Sequence, residues 1–415
     1  MKIFILFCYL LVIAAECLLQ ALNLRHLRRL GNEVPPDFAL SVNAEALARA
    51  NAYTLELSRL GLAEALVDAL VLILFLFGGG LRWYDRWISA LGGSFVLSGI
   101  LFFAGLTVVQ TVIAIPFDTY RTFRLENRYG FNTTTPRLWA ADLLKSTGLS
   151  LGLLALVGGG GLCLVQFSPR LWWFWVWCFV ALVSLFLIYL SPYVIEPLFS
   201  RFEPVREPGL EEEIRALLAR AGLRVDRVLQ VDASRRSRHS NAYFTGIGRV
   251  KRIVLYDTLL AQMEHGEILA ILAHEVGHWR KGHVWKRLLA TELGALAATW
   301  CAWRLITAGW LPGSIGLDGA SFAAQVLILG VLSTLVTFPF TPLGSWLSRR
   351  QELQADDCAA ALTGAPDALA SALVKLSAEN LANLHPHPFY AWFYYSHPPV
   401  VDRIARLKGG EPKPH

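Results

Sequence analysis

His274, Glu275 and His278 stand as His274-Glu275-Val276-Gly277-His278 within the apolar stretch ILAILAHEVGHW. On a helix, positions i and i+4 share a face, so both imidazoles can reach one ion while Glu275 sits alongside. Two imidazoles and a carboxylate suit zinc, and a catalytic site keeps a fourth position for water. Glu275 can take the proton of that water as the ion makes it acidic. With 10 His and 19 Glu in 415 residues, about 0.01 such patterns are expected by chance.

A third ligand is needed. His283 follows His278 by five residues, whereas the long zinc-protease motif wants a histidine six after and a glycine three after, so that pattern fails. Glu352 is the better candidate, in Arg349-Arg350-Gln351-Glu352-Leu353-Gln354-Ala355-Asp356. Glu352 and Asp356 are i,i+4, so one face offers a ligand and a carboxylate that orients a ligating histidine. Spacing alone equally permits a solvated acidic helix there.

The elements that must position these groups are membrane-embedded. Of the 415 residues 54% are apolar and 17% charged, against about 45–50% and 25% in an ordinary soluble protein. The mean hydropathy is +0.44. Apolar stretches of about 20 residues predict seven spans, at 3–22, 64–81, 96–117, 147–166, 171–195, 287–308 and 321–345. The glycine runs Gly78–Gly80 and Gly158–Gly161 read as helix ends or close helix contacts, since no basic or hydroxyl partner follows them. The six cysteines form no C-x-x-C pair, which argues against a disulfide framework or a thiolate zinc site. The charge of +6 comes from 30 Arg and 8 Lys without a long basic run, so nucleic acid is a poor partner.

Numbering the connections alternately, the 23–63 and 118–146 segments hold ten basic residues and the opposite side three, Arg82, Arg86 and Arg170. This bias puts the N-terminus outside and the C-terminus inside. The polar segments 196–286 and 346–415 then both lie on the cytosolic side. The organisation read from this is spans one to five over 1–195, an α+β insert over 196–286, spans six and seven over 287–345, and a helical tail over 346–415. Within the insert, a helix over 211–221, strands at 227–231, 242–244 and 252–256, and a helix from about Glu264 are expected. A C-terminal helix carrying Arg403 follows Pro398-Pro399, and His385-Pro386-His387-Pro388 reads as loop. Glu16, Gln110 and Glu292 lie inside apolar runs, where an acid is costly unless paired or wet; all three are expected to face one water-filled interior.

Together these residues resemble the type I CAAX prenyl proteases, integral-membrane zinc metalloproteases with seven spans. The resemblance runs through Glu126-Asn127-Arg128-Tyr129-Gly130-Phe131-Asn132, Ile195-Glu196-Pro197-Leu198-Phe199 and Arg238-His239-Ser240-Asn241-Ala242-Tyr243-Phe244. The zinc motif, Glu352-x-x-Ala355-Asp356 and Ser396-His397-Pro398-Pro399 complete it. It implies a mainly α, multi-pass fold of seven helices around a chamber, with a zincin-like insert carrying the motif helix. It implies His274, His278 and Glu352 as ligands of one Zn2+ per chain, Glu275 as general base, Asp356 as a supporting carboxylate or proton donor, and His397 as the oxyanion donor. Asn241 to Tyr243, with Ala242 between them, and Arg403 would hold the substrate backbone. The implied activity is removal of the last three residues of a prenylated Cys-a-a-X protein, with no obligatory protein partner. The Arg-over-Lys bias suggests a GC-rich bacterial genome, hence an inner-membrane location, or the endoplasmic reticulum if the source is eukaryotic. Without prenylated substrates, the alternative role is membrane-protein quality control. A metal transporter or a non-catalytic scaffold would leave the acid at Glu275 without a purpose.

Overall fold

Apolar runs too long for a soluble core become helices here, and little of their surface is covered by protein. In the computed structural model, which describes residues 1–245 and 250–410, six helices are long and apolar enough to cross a membrane. They are Lys2–Leu30, Ala44–Phe77, Phe95–Glu126, Pro136–Phe167, Trp172–Phe199 and Phe322–Thr363. Only 6–11% of the apolar window of each is buried inside the protein, so hydrocarbon must cover the rest. Four of the helices open on side-chain caps, with Asn43, Ser94, Thr135 and Ser321 accepting from the backbone N–H three residues on.

Six of the seven expected spans meet that length and composition among the described residues. Residues 287–308 do fall in a helix, His283–Thr307, but Arg287, Glu292 and Arg304 interrupt its apolar face, and it is not among the six. Trp177 Nε1–H donates to Glu292 C=O at 2.9 Å, tying that helix to its neighbour. The glycine runs behave as read. Gly79 takes φ +95° at a helix boundary, and a Cβ on Gly160 would lie 2.6 Å from the Phe179 ring, so the first is a helix end and the second a close helix contact.

Residues after Phe199 form a four-stranded sheet ordered β1 (Phe202–Pro204), β2 (Arg224–Val231), β4 (Val250–Tyr256), β3 (Ala242–Thr245). β2 and β4 run parallel, and β1 and β3 are antiparallel to their neighbours. Leu210, Ile214, Leu217 and Leu218 of helix Leu210–Arg220 bury against Val228, Ile253 and Leu255 of this sheet. Ile268, Leu272 and Val276 of helix His265–Arg280 join the same core. That core also takes in Ala359, Leu369, Leu373 and Ile404 from the C-terminal helices, so the tail docks on the insert across two intervening helices of sequence.

Connections alternate between two ends of the helical assembly. At the end bearing the sheet, Arg49 Nη2 donates to Tyr129 C=O, Arg236 Nε to Asp142, and Lys408 Nζ to Asp37. At the other, Lys2 Nζ donates to Phe77 C=O and Arg82 Nη2 to Gly316 C=O. The ten basic residues of 23–63 and 118–146 thus share an end with the sheet. Between the helices lies a cavity of about 1430 Å³ lined by apolar side chains together with Glu16, Asp68 and Gln110. Glu16 and Gln110 thus share one cavity wall, whereas Glu292 is not among the residues lining it.

Candidate metal centre and its supports

The motif helix His265–Arg280 starts on a capping box, Glu264 and Glu267 each accepting from the other's backbone N–H. Lys375 and Ser371 hold Glu267 from the next helix over. The helix lies against Thr341–Thr363 at a separation that permits no side chain at Gly277. A Cβ there would meet Ala355 Cα at 2.8 Å and its carbonyl oxygen at 2.9 Å. That approach is what carries Glu352, 74 residues beyond His278 in sequence, to the two histidines.

His274 Nε2 and His278 Nε2 are 3.2 Å apart. Glu352 Oε2 is 3.2 Å from the first and Oε1 3.3 Å from the second. Donors about 2.0–2.1 Å from a tetrahedral ion are separated by about 3.3 Å; the distances here are close to that, with a different carboxylate oxygen turned to each imidazole. Both Nδ1 atoms are already engaged, which leaves the Nε2 lone pairs for a metal. His274 Nδ1–H donates to Asp356 Oδ1 at 2.7 Å. His278 Nδ1 lies 3.0 Å from His283 Nδ1, whose other nitrogen is 3.0 Å from Gln354 Oε1. Glu352 Oε2 is enclosed and makes no well-directed hydrogen bond, although two imidazoles stand within 3.2 Å of it. Burial by itself would lower the His274 pKa, but the Asp356 and Glu352 carboxylates carry it up to about 9. The pocket therefore demands positive charge between its ligands, and the donor set fits a divalent cation.

Around this trio the expected residues fall differently. Glu275 is half-buried beside His274. Asp356 is buried to 1% exposure and receives Arg403 Nε at 2.8 Å and Nη2 at 2.7 Å. Arg403, expected at the substrate backbone, is buried with its guanidinium forked onto Asp356 through Nε and Nη2. The Asp356 charge raises the Arg403 pKa despite the opposing effect of burial. A carboxylate clamped between an imidazole N–H and a guanidinium is placed to fix the orientation of the His274 ring. The His397 side chain is 62% exposed, with Nδ1 2.9 Å from Glu352 Oε2. His283 and Gln354, rejected or unremarked as ligands, emerge as the hydrogen-bonded support of His278. The signal for them was the left-handed Gly282 (φ +67°), which folds His283 back under the motif.

Asn241 to Phe244 enter β3, the outer strand of the sheet, which packs on the motif helix. Tyr256 N–H donates to Asn241 C=O, so by antiparallel alternation the backbone groups of Ala242 and Phe244 lie on the open edge. The Ala242 N–H is taken by Asn241 Oδ1 at 2.8 Å, and Tyr243 Oη–H donates to Glu196 at 2.7 Å.

A family model described as CAAX prenyl protease N-terminal, five membrane helices, matches residues 23–201. A second, peptidase family M48, matches 204–411. A CAAX prenyl protease 1 homolog of Arabidopsis thaliana is 33% identical over 94% of each chain. CAAX prenyl protease 1 of Saccharomyces cerevisiae is also 33% identical, over 76% of this chain and 73% of its own. An uncharacterized metalloprotease of Bacillus subtilis is 29% identical over 84% of this chain and 82% of its own. The crystal structure of S. mikatae Ste24p superposes with a TM-score of 0.89 at 26% identity, covering 97% of this chain and 98% of that one. Matched from membrane helices to tail, the chain belongs to peptidase family M48, as a membrane zinc metalloendopeptidase of the CAAX prenyl protease kind.

Proposed function

We propose that His274, His278 and Glu352 hold one Zn2+ per chain and that Glu275 is the general base of peptide hydrolysis. The three donor separations of 3.2–3.3 Å carry this reading. A bound zinc ion supplies Lewis acidity, bringing water toward deprotonation near neutral pH. Glu275 takes one proton from the attacking water as its oxygen bonds to the scissile carbonyl carbon. It then returns that proton to the amine as the C–N bond breaks. His397, whose exposed ring stands beside Glu352, donates an N–H to the developing oxyanion. The substrate adds as a strand along β3, using the open backbone groups of Ala242 and Phe244. Asn241 must then swing its amide off the Ala242 N–H, freeing its own amide for a substrate carbonyl, while Tyr243 stays anchored on Glu196.

The preferred substrate class is a prenylated Cys-a-a-X protein, cut to release its last three residues; the relatives are named CAAX prenyl proteases. Residues 1–195 and 287–345 are the membrane part and 196–286 with 346–415 the catalytic part. The sheet end faces the cytosol and the N-terminus the other side, because the ten basic residues share the sheet end. The membrane is the bacterial inner membrane or, for a eukaryotic source, the endoplasmic reticulum.

Metal analysis and hydrolysis of quenched peptides, with and without a prenyl group, test this in wild type and Glu275→Gln. One zinc in both proteins and a loss of roughly 10²–10⁴-fold in turnover are expected. Zinc loss in Glu275→Gln would make Glu275 a ligand and overturn the assignment. Equal cleavage with and without the prenyl group would favour general membrane proteolysis.

A further inference from the structure

The Glu126-to-Asn132 segment has no part in the chemistry above, yet it reaches the strand proposed to bind substrate. Glu126 ends the Phe95–Glu126 helix. Its Oε1 accepts from Tyr53 Oη–H at 2.7 Å, and its backbone carbonyl from the N–H of Phe131 at 2.9 Å. Phe131 stacks on the His239 ring at 4.1 Å between centroids and 22° between planes. His239 Nδ1 lies 2.9 Å from Asn380 Oδ1, at the end of helix Pro366–Glu379. Its Nε2 lies 3.5 Å from Glu126 Oε2, an enclosed oxygen without a hydrogen bond of its own. The Glu126 carboxylate keeps the His239 pKa above its usual value. On the sheet side, Thr258 Oγ1–H donates to His239 C=O at 3.0 Å, and Ser240 bonds Gln262. The imidazole thus joins a membrane helix, a tail helix and the sheet two residues before Asn241. Two backbone contacts run beside it, Arg238 N–H to Phe131 C=O at 3.0 Å and a bridge between Asn132 and Ser237.

We infer that Glu126 and His239 form a latch that sets where Asn241 and the open edge of β3 stand relative to the metal centre. They are positioning residues for substrate: neither touches the ligands, and both act through the strand. This rests on the reading that the substrate adds to β3. A latch of this kind governs how well an extended peptide is held, while ion and base stay where the two packed helices put them.

The experiment uses the full-length enzyme in detergent, with Glu126→Gln, His239→Gln and the double variant. Zinc content, melting temperature, and kcat and KM on one quenched peptide are compared. Each single variant should keep its zinc and its kcat within about twofold, while KM rises about tenfold, the worth of one charge-assisted contact. The double variant should be no worse than the weaker single, since both remove one interaction. Loss of zinc, a loss confined to kcat, unchanged KM, or multiplied effects in the double variant would each overturn the latch. The underlying reading is checked separately with wild type alone, on a peptide N-methylated at the amides that would pair with β3. Weaker binding of that peptide is expected. Equal cleavage would remove the strand, and the latch with it, whereas discrimination by wild type with unaltered variants would remove only the latch.

Discussion

Gly277→Ala puts a single methyl group between the two helices that carry the metal ligands. The new Cβ would stand 2.8 Å from Ala355 Cα, 2.9 Å from its carbonyl oxygen and 3.1 Å from Cys358 Cβ. The closest of these is about 0.6 Å short of the 3.4 Å at which ordinary contact begins. Backbone atoms cannot rotate away, so the helices must part by about that much. Glu352 is one turn from Ala355 and moves with it, opening the 3.2 Å separation from His274 Nε2. Metal sites tolerate errors of only about 0.2 Å in ligand distance. Overpacking should also cost about 1–3 kcal/mol of stability. We expect zinc affinity to fall about 10–100-fold, a loss of the size seen when ligand supports are disturbed. Competition against a chromophoric chelator measures the affinity, and thermal unfolding of the zinc-free protein measures the packing cost separately. Affinity within twofold of wild type would refute the claim that this close approach sets the third ligand.

Removing the guanidinium with Arg403→Met should cost about 3–5 kcal/mol, because it leaves the Asp356 charge buried and unpaired; denaturant unfolding reads it, and a loss below 1 kcal/mol would contradict the buried clamp. Asp356→Asn should weaken zinc binding about 10–100-fold by freeing the His274 ring, whereas unchanged affinity would leave Asp356 a purely packing role. His397→Ala should retain zinc and lower kcat, by about 10²–10³-fold if the ring donates to the oxyanion; full activity would exclude that role. Cysteines at 16 and 110 should react with a small water-soluble thiol reagent and one at 292 much more slowly. The background must lack the native cysteines, since Cys17 lines the same cavity, and equal protection at 16 and 292 would argue against a wet interior.

How far these contacts were legible depended on whether they are written in local periodicity. The i,i+4 geometry of His274 and His278 is a property of any helix, and Glu352 with Asp356 repeats it on a second one. Strands and caps of the insert follow from alternation and terminal signals, and the helices began within about a residue of where those signals lie. Arg403 shows the limit: its helix was predictable, but its direction is set by an anion held on another element, which spacing does not encode. His283 was judged against a ligand pattern and failed it correctly, yet its partner is the back of His278 and not the metal. The sixth expected span is a helix as read, but its three charges leave it less apolar than the other six.

The division of the centre between distant stretches of chain bears on how the protein is made. The motif helix leaves the ribosome first, but the third donor follows 74 residues after His278, and Arg403 lies 129 residues after His274. Between them the helices His283–Thr307 and Phe322–Thr337 must first be inserted. A nascent chain therefore holds two histidines that bind metal only weakly and a base with nothing to activate. Under the proposed assignment, hydrolytic competence arrives only when the tail docks and Asp356 finds its counter-charge. The same arrangement makes truncation a clean off-state: a chain cut before the Thr341–Thr363 helix keeps its HEVGH motif and has no centre.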